Sequence, residues 1–400
     1  IYDYLRPNTQ YGFTYPPFAA LVMLPMAYLP WLAAIVVSVT ATVAVTVVLF
    51  WWLVDPIARR AGWTRWFALA VALCLAAAYE PMRETVNFGQ VNMLLLFLVA
   101  VDLLRLLPGG SRWAGVGVGL ATAVKLTPGI FIVYLLVTGR WRATLVAAGT
   151  AAGATLLAAA LAPDASREFW TAALWDTDRV GTLSFISNQS WQGMVARLDP
   201  THPSRLLWLL LVAATLAVWV WRVRPAAAAG DEATGLALTG VVGSLVSPVT
   251  WVHHLVWLIP ALILLVDHAY AAPAGSRRRR TLLGCAIVAY LVLISRLVWI
   301  WERRFDGLLG FVGSNAYVWV SVALLLVLPV RPPARPGGAV VPGRPGASDG
   351  RGGAGRPDRT DRSGGGAGEP GPRRPRPFPR PLGFATADAR PRGGTVGGVH

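Results

Sequence analysis

Residues 31–54 read WLAAIVVSVTATVAVTVVLFWWLV, a run without a single charged side chain. As an α-helix rising about 1.5 Å per residue, it is long enough to cross a hydrocarbon core of roughly 30 Å. Its apolar residues are continuous and do not alternate, which argues against the strands of a membrane barrel. Working outward, similar blocks recur at approximately 66–80, 92–107, 113–125, 128–138, 143–161, 203–222, 234–248, 252–267, 281–299 and 316–330. The expectation is an all-α polytopic membrane protein with about eleven membrane segments. The pair 113–125 and 128–138 is short and reads either as a tight hairpin or as one broken, re-entrant element.

Composition agrees with this reading. The chain is 55% hydrophobic and 14% charged over 400 residues, too little charge to cover a soluble domain of that length. A net charge of +16 invites a nucleic-acid partner. The arginines, however, sit in short connections between apolar blocks and in the C-terminal stretch, where orientation signals belong, so no nucleic acid is expected. Cys74 and Cys285 lie inside apolar blocks, so neither a disulfide framework nor a metal knuckle is expected.

Alternate connections carry Arg59, Arg60 and Arg65, then Arg105 and Arg112, Arg140 and Arg142, Arg222 and Arg224, and Arg277 to Arg280. The positive-inside rule makes that side cytoplasmic and puts residues 1–30 outside. The sequence begins at Ile1 with neither Met nor signal peptide, and one further helix upstream is expected. Residues 1–330 then form the membrane domain. Residues 331–400, rich in Pro, Gly, Arg and Asp, read as a disordered cytoplasmic tail whose arginines suit anionic headgroups.

In this topology the unusual polar clusters share the external face. The first is YGFTYPPF at 11–18, where Pro16 and Pro17 start a short interfacial helix beside Tyr15. It reads as an aromatic anchor or as a ligand contact. The second, EPMRETVNFGQVN at 80–92, offers Asn87, Gln90 and Asn92, amides that both donate and accept and so suit polyhydroxylated ligands. Helix capping is the plainer alternative. The third is KLTP at 125–128. Lys125, the sole lysine, ends an apolar run, where an ammonium is costly unless it snorkels or meets an anion such as phosphate.

The fourth cluster, SNQSWQG at 187–193, puts Asn188, Gln189 and Trp191 together, amides beside an aromatic as in many sugar sites. The fifth is SPVTWVHH at 247–254. Its adjacent histidines diverge on a helix and have no third ligand nearby, so no metal is expected. One of the pair, His253 in preference to His254, is read as the contact to an anion or a hydroxyl, and packing is the alternative. A last cluster, WERRFD at 301–306, brings Arg303 to the outside, as a ligand contact or as part of a salt-bridged loop.

FTYPPFAAL, NFGQVN, KLTP, SNQSWQG and SPVTWVHH, in that order, resemble glycosyltransferase family 87, membrane-embedded mannosyltransferases of actinobacteria. The resemblance covers residues 2–268. It implies a GT-C fold and an active site near the outer leaflet of the plasma membrane. The implied donor is polyprenyl-phosphate mannose, and the implied acceptors are mannosylated lipids such as phosphatidylinositol mannosides or lipomannan. No cofactor is implied. The family's catalytic Asp is expected upstream of Ile1. Asp3 fits instead the tyrosine-aspartate pair later in the same loop.

Transfer from a lipid phosphate needs a base for the acceptor hydroxyl and cations for the leaving phosphate. Lys125, His253 and His254 are the catalytic candidates for the second task. The alternative function is a lipid-linked sugar flippase or transporter, which would also use polar groups among membrane helices. One-sided polar clusters and the lack of repeated halves speak against it. Because the tail lies opposite the expected site, deleting residues 331–400 should leave transfer in a stably inserted truncation close to that of the parent. Loss of turnover in that assay would assign the tail a role in chemistry.

Overall fold

The computed structural model describes residues 1–4, 12–176 and 181–330. Tyr11 and the expected tail at 331–400 lie outside the described residues. Among the described residues the chain is helical, without strands, and they all fall in one compact unit. Each apolar block contains a helix. In order these are α1 (Pro17–Met23), α2 (Trp31–Ala61), α3 (Arg65–Ala78), α4 (Glu80–Asn87), α5 (Asn92–Val101), α6 (Val116–Val124), α7 (Ile130–Val137) and α8 (Trp141–Leu161). After α9 (Pro163–Glu168) and α10 (Trp191–Leu198) come α11 (Arg205–Ala228), α12 (Glu232–Val246), α13 (Ile259–Ala271), α14 (Arg277–Ile294), α15 (Gly307–Ser314) and α16 (Ala316–Val327).

Among the described residues, four helical stretches are long and apolar enough to cross a bilayer alone: α2, α8, α11 and the continuous run Val252–Ala271. The pairs α3–α4 and α15–α16, bent by 69° and 62°, raise the number to six if each counts as one span. Several expected segments are therefore helices shorter than a bilayer is thick. The block at 113–138 shows why. Its helix stops at Lys125, whose backbone is extended (φ −150°, ψ 130°), and restarts through a 3₁₀ turn at Thr127–Gly129.

The bundle is apolar outside as well as inside. Leu145, Leu206 and Trp221 on the long helices α8 and α11 are exposed, as suits lipid contact. The central helix α12 is buried at every residue from Thr234 to Leu245. Its Gly235 lies against the ring of Tyr134, where a side chain would collide with the phenol. Helix α6 is thinned in the same way. Gly117 meets the Leu98 carbonyl of α5, and Gly119 meets the Ala147 carbonyl of α8 on the opposite side. Small residues let backbones approach where lipid supplies no hydrophobic drive between helices.

The arginine-bearing connections join one another. Arg60 pairs with Asp267, Arg59 and Arg65 share Asp55, and Arg140 pairs with Glu232, which also accepts from Tyr134 Oη at 2.6 Å. Arg222 donates to the carbonyls of Leu325 and Leu328, fastening α11 to the end of α16. Gly119→Val should push α6 from α8 and cost about 1–3 kcal/mol, as overpacking does. A thermal midpoint in detergent equal to the parent's would refute this close packing.

Candidate active site

The site forms where α6 breaks. Lys125 Nζ lies 3.0 Å from Asn92 Oδ1 and 2.8 Å from His254 Nε2, and 5.1 Å from the centroid of the Tyr15 ring. No carboxylate pairs with it among the described residues. Each neighbour is held in turn. Tyr15 donates its hydroxyl to Gln90 Oε1 at 2.6 Å, and Tyr2 Oη donates to the Tyr15 carbonyl at 2.8 Å. Burial pushes the Tyr15 phenol up to about 12, so it remains a donor at neutral pH. Tyr2 in turn packs against Phe13 and Phe169.

The histidine segment is a 3₁₀ turn, Val252–Leu258, running into α13. Its His253 carbonyl accepts from Thr85 Oγ1 at 3.0 Å and from Asn92 Nδ2 at 3.1 Å, which docks it on α4 and the start of α5. Tyr79 Oη donates to the Leu255 carbonyl at 2.8 Å. The Trp251 backbone N–H donates to His254 Nδ1 at 3.1 Å, which leaves the neutral ring's proton on Nε2, so both Nε2–H and Lys125 Nζ are donors facing each other and an anion between them would accept from both. His253 lies perpendicular to it, with ring centroids 4.5 Å apart, and meets Phe88 on its other side. Asn92 therefore serves both the cation and the turn, with its oxygen on Lys125 and its amide on the His253 carbonyl.

A second layer holds the turn from the loop at 184–190. Asn188 Oδ1 accepts from the Thr250 N–H at 2.9 Å, and its amide donates to the carbonyls of Leu183 and Pro248. Ser187 Oγ accepts from the Val252 N–H at 3.2 Å. Gln189 donates to the Ile186 and Ser314 carbonyls. Arg197, buried on α10, binds the Phe185 and Asn188 carbonyls and Asn315 Oδ1. Burial pushes its guanidinium down to about 9, so it stays cationic at neutral pH.

Beside Lys125 opens a cavity of about 640 Å³. Its lining includes Tyr15, Pro16, Glu84, Gln90, Lys125, Ser187, Trp251, His253, His254 and Trp299. Parts of five sequence clusters, up to 239 residues apart along the chain between Tyr15 and His254, thus share one wall. Other candidates lie elsewhere. Asn87 is exposed and does not line the cavity, and Arg303 and Asp3 are likewise exposed outside it. Pro17 is buried at the first turn of α1. Asn188 and Gln189 are fully buried braces, and Trp191 donates its indole N–H to Thr215 Oγ1 at 2.8 Å. Of the two histidines, His254 meets the lysine, whereas the sequence favours His253.

The wall also holds Trp299 and Phe185, which the sequence reading does not single out. Trp299 ends an apolar block and gives no local signal. It is fixed by Glu80, fully buried on α4, which accepts from Trp299 Nε1 at 2.5 Å and from Tyr317 Oη. Among the described residues no three His, Cys, Asp or Glu side chains gather as metal ligands would.

Fold and site define a membrane-embedded protein with a chamber of mixed polar and aromatic lining set among apolar helices and Lys125 at its edge. The chain belongs to glycosyltransferase family 87, whose model matches residues 13–248. It is 35% identical over 341 residues to a polyprenol-phosphate-mannose-dependent α-(1-2)-phosphatidylinositol mannoside mannosyltransferase of Mycolicibacterium smegmatis, covering 79% of this chain and 75% of that protein. A Mycobacterium tuberculosis protein of the same description is 31% identical over 338 residues, again 79% and 75%. A polyprenol-phosphate-mannose-dependent α-(1-2)-phosphatidylinositol pentamannoside mannosyltransferase of Mycolicibacterium smegmatis is 31% identical over 293 residues, 69% of this chain and 67% of its own length. No solved structure matches the chain.

The braces and the exposed amide separate in a paired test. Asn188→Ala should leave buried backbone groups unsatisfied, costing about 1–3 kcal/mol, and should lower glycosyl transfer with it. Asn87→Ala should leave the thermal midpoint and transfer near parental values. The reverse ranking would show that the second layer is misread.

Proposed function

We propose that the chain transfers mannose from a polyprenyl-phosphate donor to a mannosylated phosphatidylinositol or lipoglycan acceptor, at the extracytoplasmic face of the plasma membrane. The observation that carries this is the meeting of Lys125 and His254, 129 residues apart, at a cavity beside lipid-facing helices. The printed activities of the relatives supply the sugar and its carrier. The GT-C arrangement with about eleven membrane segments is part of the same proposal, as is its orientation, with the arginine-bearing end cytoplasmic.

The chemistry follows from the charges. The acceptor oxygen attacks the anomeric carbon opposite the phosphate while its proton passes to a general base, for which the family resemblance implies a carboxylate ahead of the Tyr15 element. The bond from that carbon to the phosphate oxygen breaks, and its electron pair leaves with the polyprenyl phosphate. Displacement from one face inverts the centre, so a β-linked donor gives an α-mannoside. Negative charge grows on the phosphate as the bond breaks. Lys125 and the Nε2 side of His254 therefore bind the transition state more strongly than the ground state, which is what accelerates a reaction. Asn92 holds the ammonium where that charge develops.

Proteoliposomes given labelled polyprenyl-phosphate mannose and a phosphatidylinositol mannoside should form product, and Lys125→Ala should lower the rate about ten- to a hundred-fold through loss of a charge-assisted bond. His254→Ala should cost more than His253→Ala, because only the former ring touches the ammonium. Transfer from GDP-mannose where no lipid donor can form would sink the donor assignment. Parental rates in correctly inserted lysine and histidine variants would sink the phosphate site.

A further inference from the structure

Helix α4 carries two carboxylates one turn apart, Glu80 and Glu84, on one face. Their surroundings differ. Glu80 is fully buried and engaged by Trp299 and Tyr317, with Arg296 Nε at 3.5 Å. Glu84 is partly buried and lines the same cavity as Lys125, yet its carboxylate makes no hydrogen bond or ion pair with any described residue. Neither its neighbour Arg83 nor Lys125 pairs with it. The chamber thus holds a cation and a carboxylate that do not neutralise each other.

The same cavity has an aromatic wall. Trp299 meets Phe185 edge-on with centroids 6.1 Å apart, and Phe185 meets Trp251 at 6.0 Å. The bond from Trp299 Nε1 to Glu80 fixes the indole, with the Arg296 guanidinium 5.5 Å from its ring centroid and paired to Glu80, so an aromatic surface on the cavity wall and an unpaired carboxylate are set by the same helix. An anion would be repelled by Glu84 and drawn to Lys125. A neutral ligand with several hydroxyls and one apolar face would be drawn the other way: its hydroxyls donate to the carboxylate, and its C–H face lies on the indole.

We propose that Glu84 and Trp299 form the subsite for the acceptor's terminal mannopyranose, with Glu84 accepting from ring hydroxyls that do not react. This rests on the mannosyl-transfer reading for its place in the reaction, though not for the binding itself. Charge sorts the two substrates: the donor phosphate goes to the Lys125–His254 edge and the acceptor sugar to the α4 edge. Glu84 is a binding residue in this assignment, and no bond to it forms or breaks.

Two measurements on the full chain in detergent or liposomes test it. In saturation-transfer NMR, methyl α-D-mannopyranoside should receive magnetisation from the parent and far less from Glu84→Gln or Trp299→Ala, while Trp299→Phe should keep part of the signal. In transfer assays Glu84→Gln should raise the acceptor KM about tenfold or more with kcat within about threefold and an unchanged donor KM, the pattern of lost binding common to ground and transition states. Equal glycoside signals from parent and Glu84→Gln would overturn the subsite. A higher donor KM with an unchanged acceptor KM would give the ring to the donor and overturn the acceptor assignment. A collapse of kcat at unchanged KM would make Glu84 the base and overturn it as well. Glycoside binding that needs Glu84, in a chain that transfers no mannose from the lipid donor, would uphold the sugar subsite and reject the transfer reading instead.

Discussion

An ammonium at the end of a short apolar helix must find partners, and Lys125 finds only neutral ones. Asn92 Oδ1 accepts from it, the Nε2–H of His254 faces it as a second donor, the Tyr15 ring lies near it, and no described carboxylate cancels it. Much of the local architecture meets that requirement. The glycines of α6 let the helix sit against α5 and α8, so its last residue is fixed in place. Asn92 starts α5 and points back to the cation. The 3₁₀ turn of the histidines is docked by Thr85 and Asn92 and braced by Asn188 and Ser187, and through it Nε2 of His254 arrives at the lysine. A charge held by neutral dipoles keeps its field for a ligand, whereas one paired with a carboxylate has largely spent it.

Much of the fold was legible because lipid imposes a coarse rule: block 31–54 is a helix and spans further, to Ala61. The rule weakens where helices are short. Nothing in the apolar pattern of 113–138 tells a crossing from a break, because α6 is largely buried while α7 exposes Val133 and Leu136, and both read simply as apolar. The arginines of the alternate connections are tied to distant segments, Arg60 to Asp267, Arg140 to Glu232 and Arg222 to the Leu325 carbonyl, partners that the alternation itself does not reveal.

The site was legible in kind and less so in assignment. Lys125, Tyr15, Gln90 and the histidines stand out because polar groups at the ends of apolar blocks are costly without a purpose. Asn188 and Gln189 stand out for the same reason and serve backbone instead. An amide that satisfies a buried carbonyl has the same composition as one that holds a sugar hydroxyl. The choice between His253 and His254 depends on a 3₁₀ turn and a bond from Trp251, and neither has a sequence signature. Trp299 is hidden for a related reason: its role comes from Glu80, 219 residues away.

The outward-facing Leu and Trp side chains of α8 and α11 carry a consequence for how rates are to be expressed. For a protein dissolved in hydrocarbon, substrates with lipid tails share that solvent, and bulk molarity ceases to describe what the chamber meets. The governing variable is the number of donor molecules per unit area of leaflet, and encounter occurs by diffusion in two dimensions. Diluting the substrates with inert phospholipid at constant total amount then slows turnover, whereas diluting the whole suspension with buffer leaves it nearly unchanged.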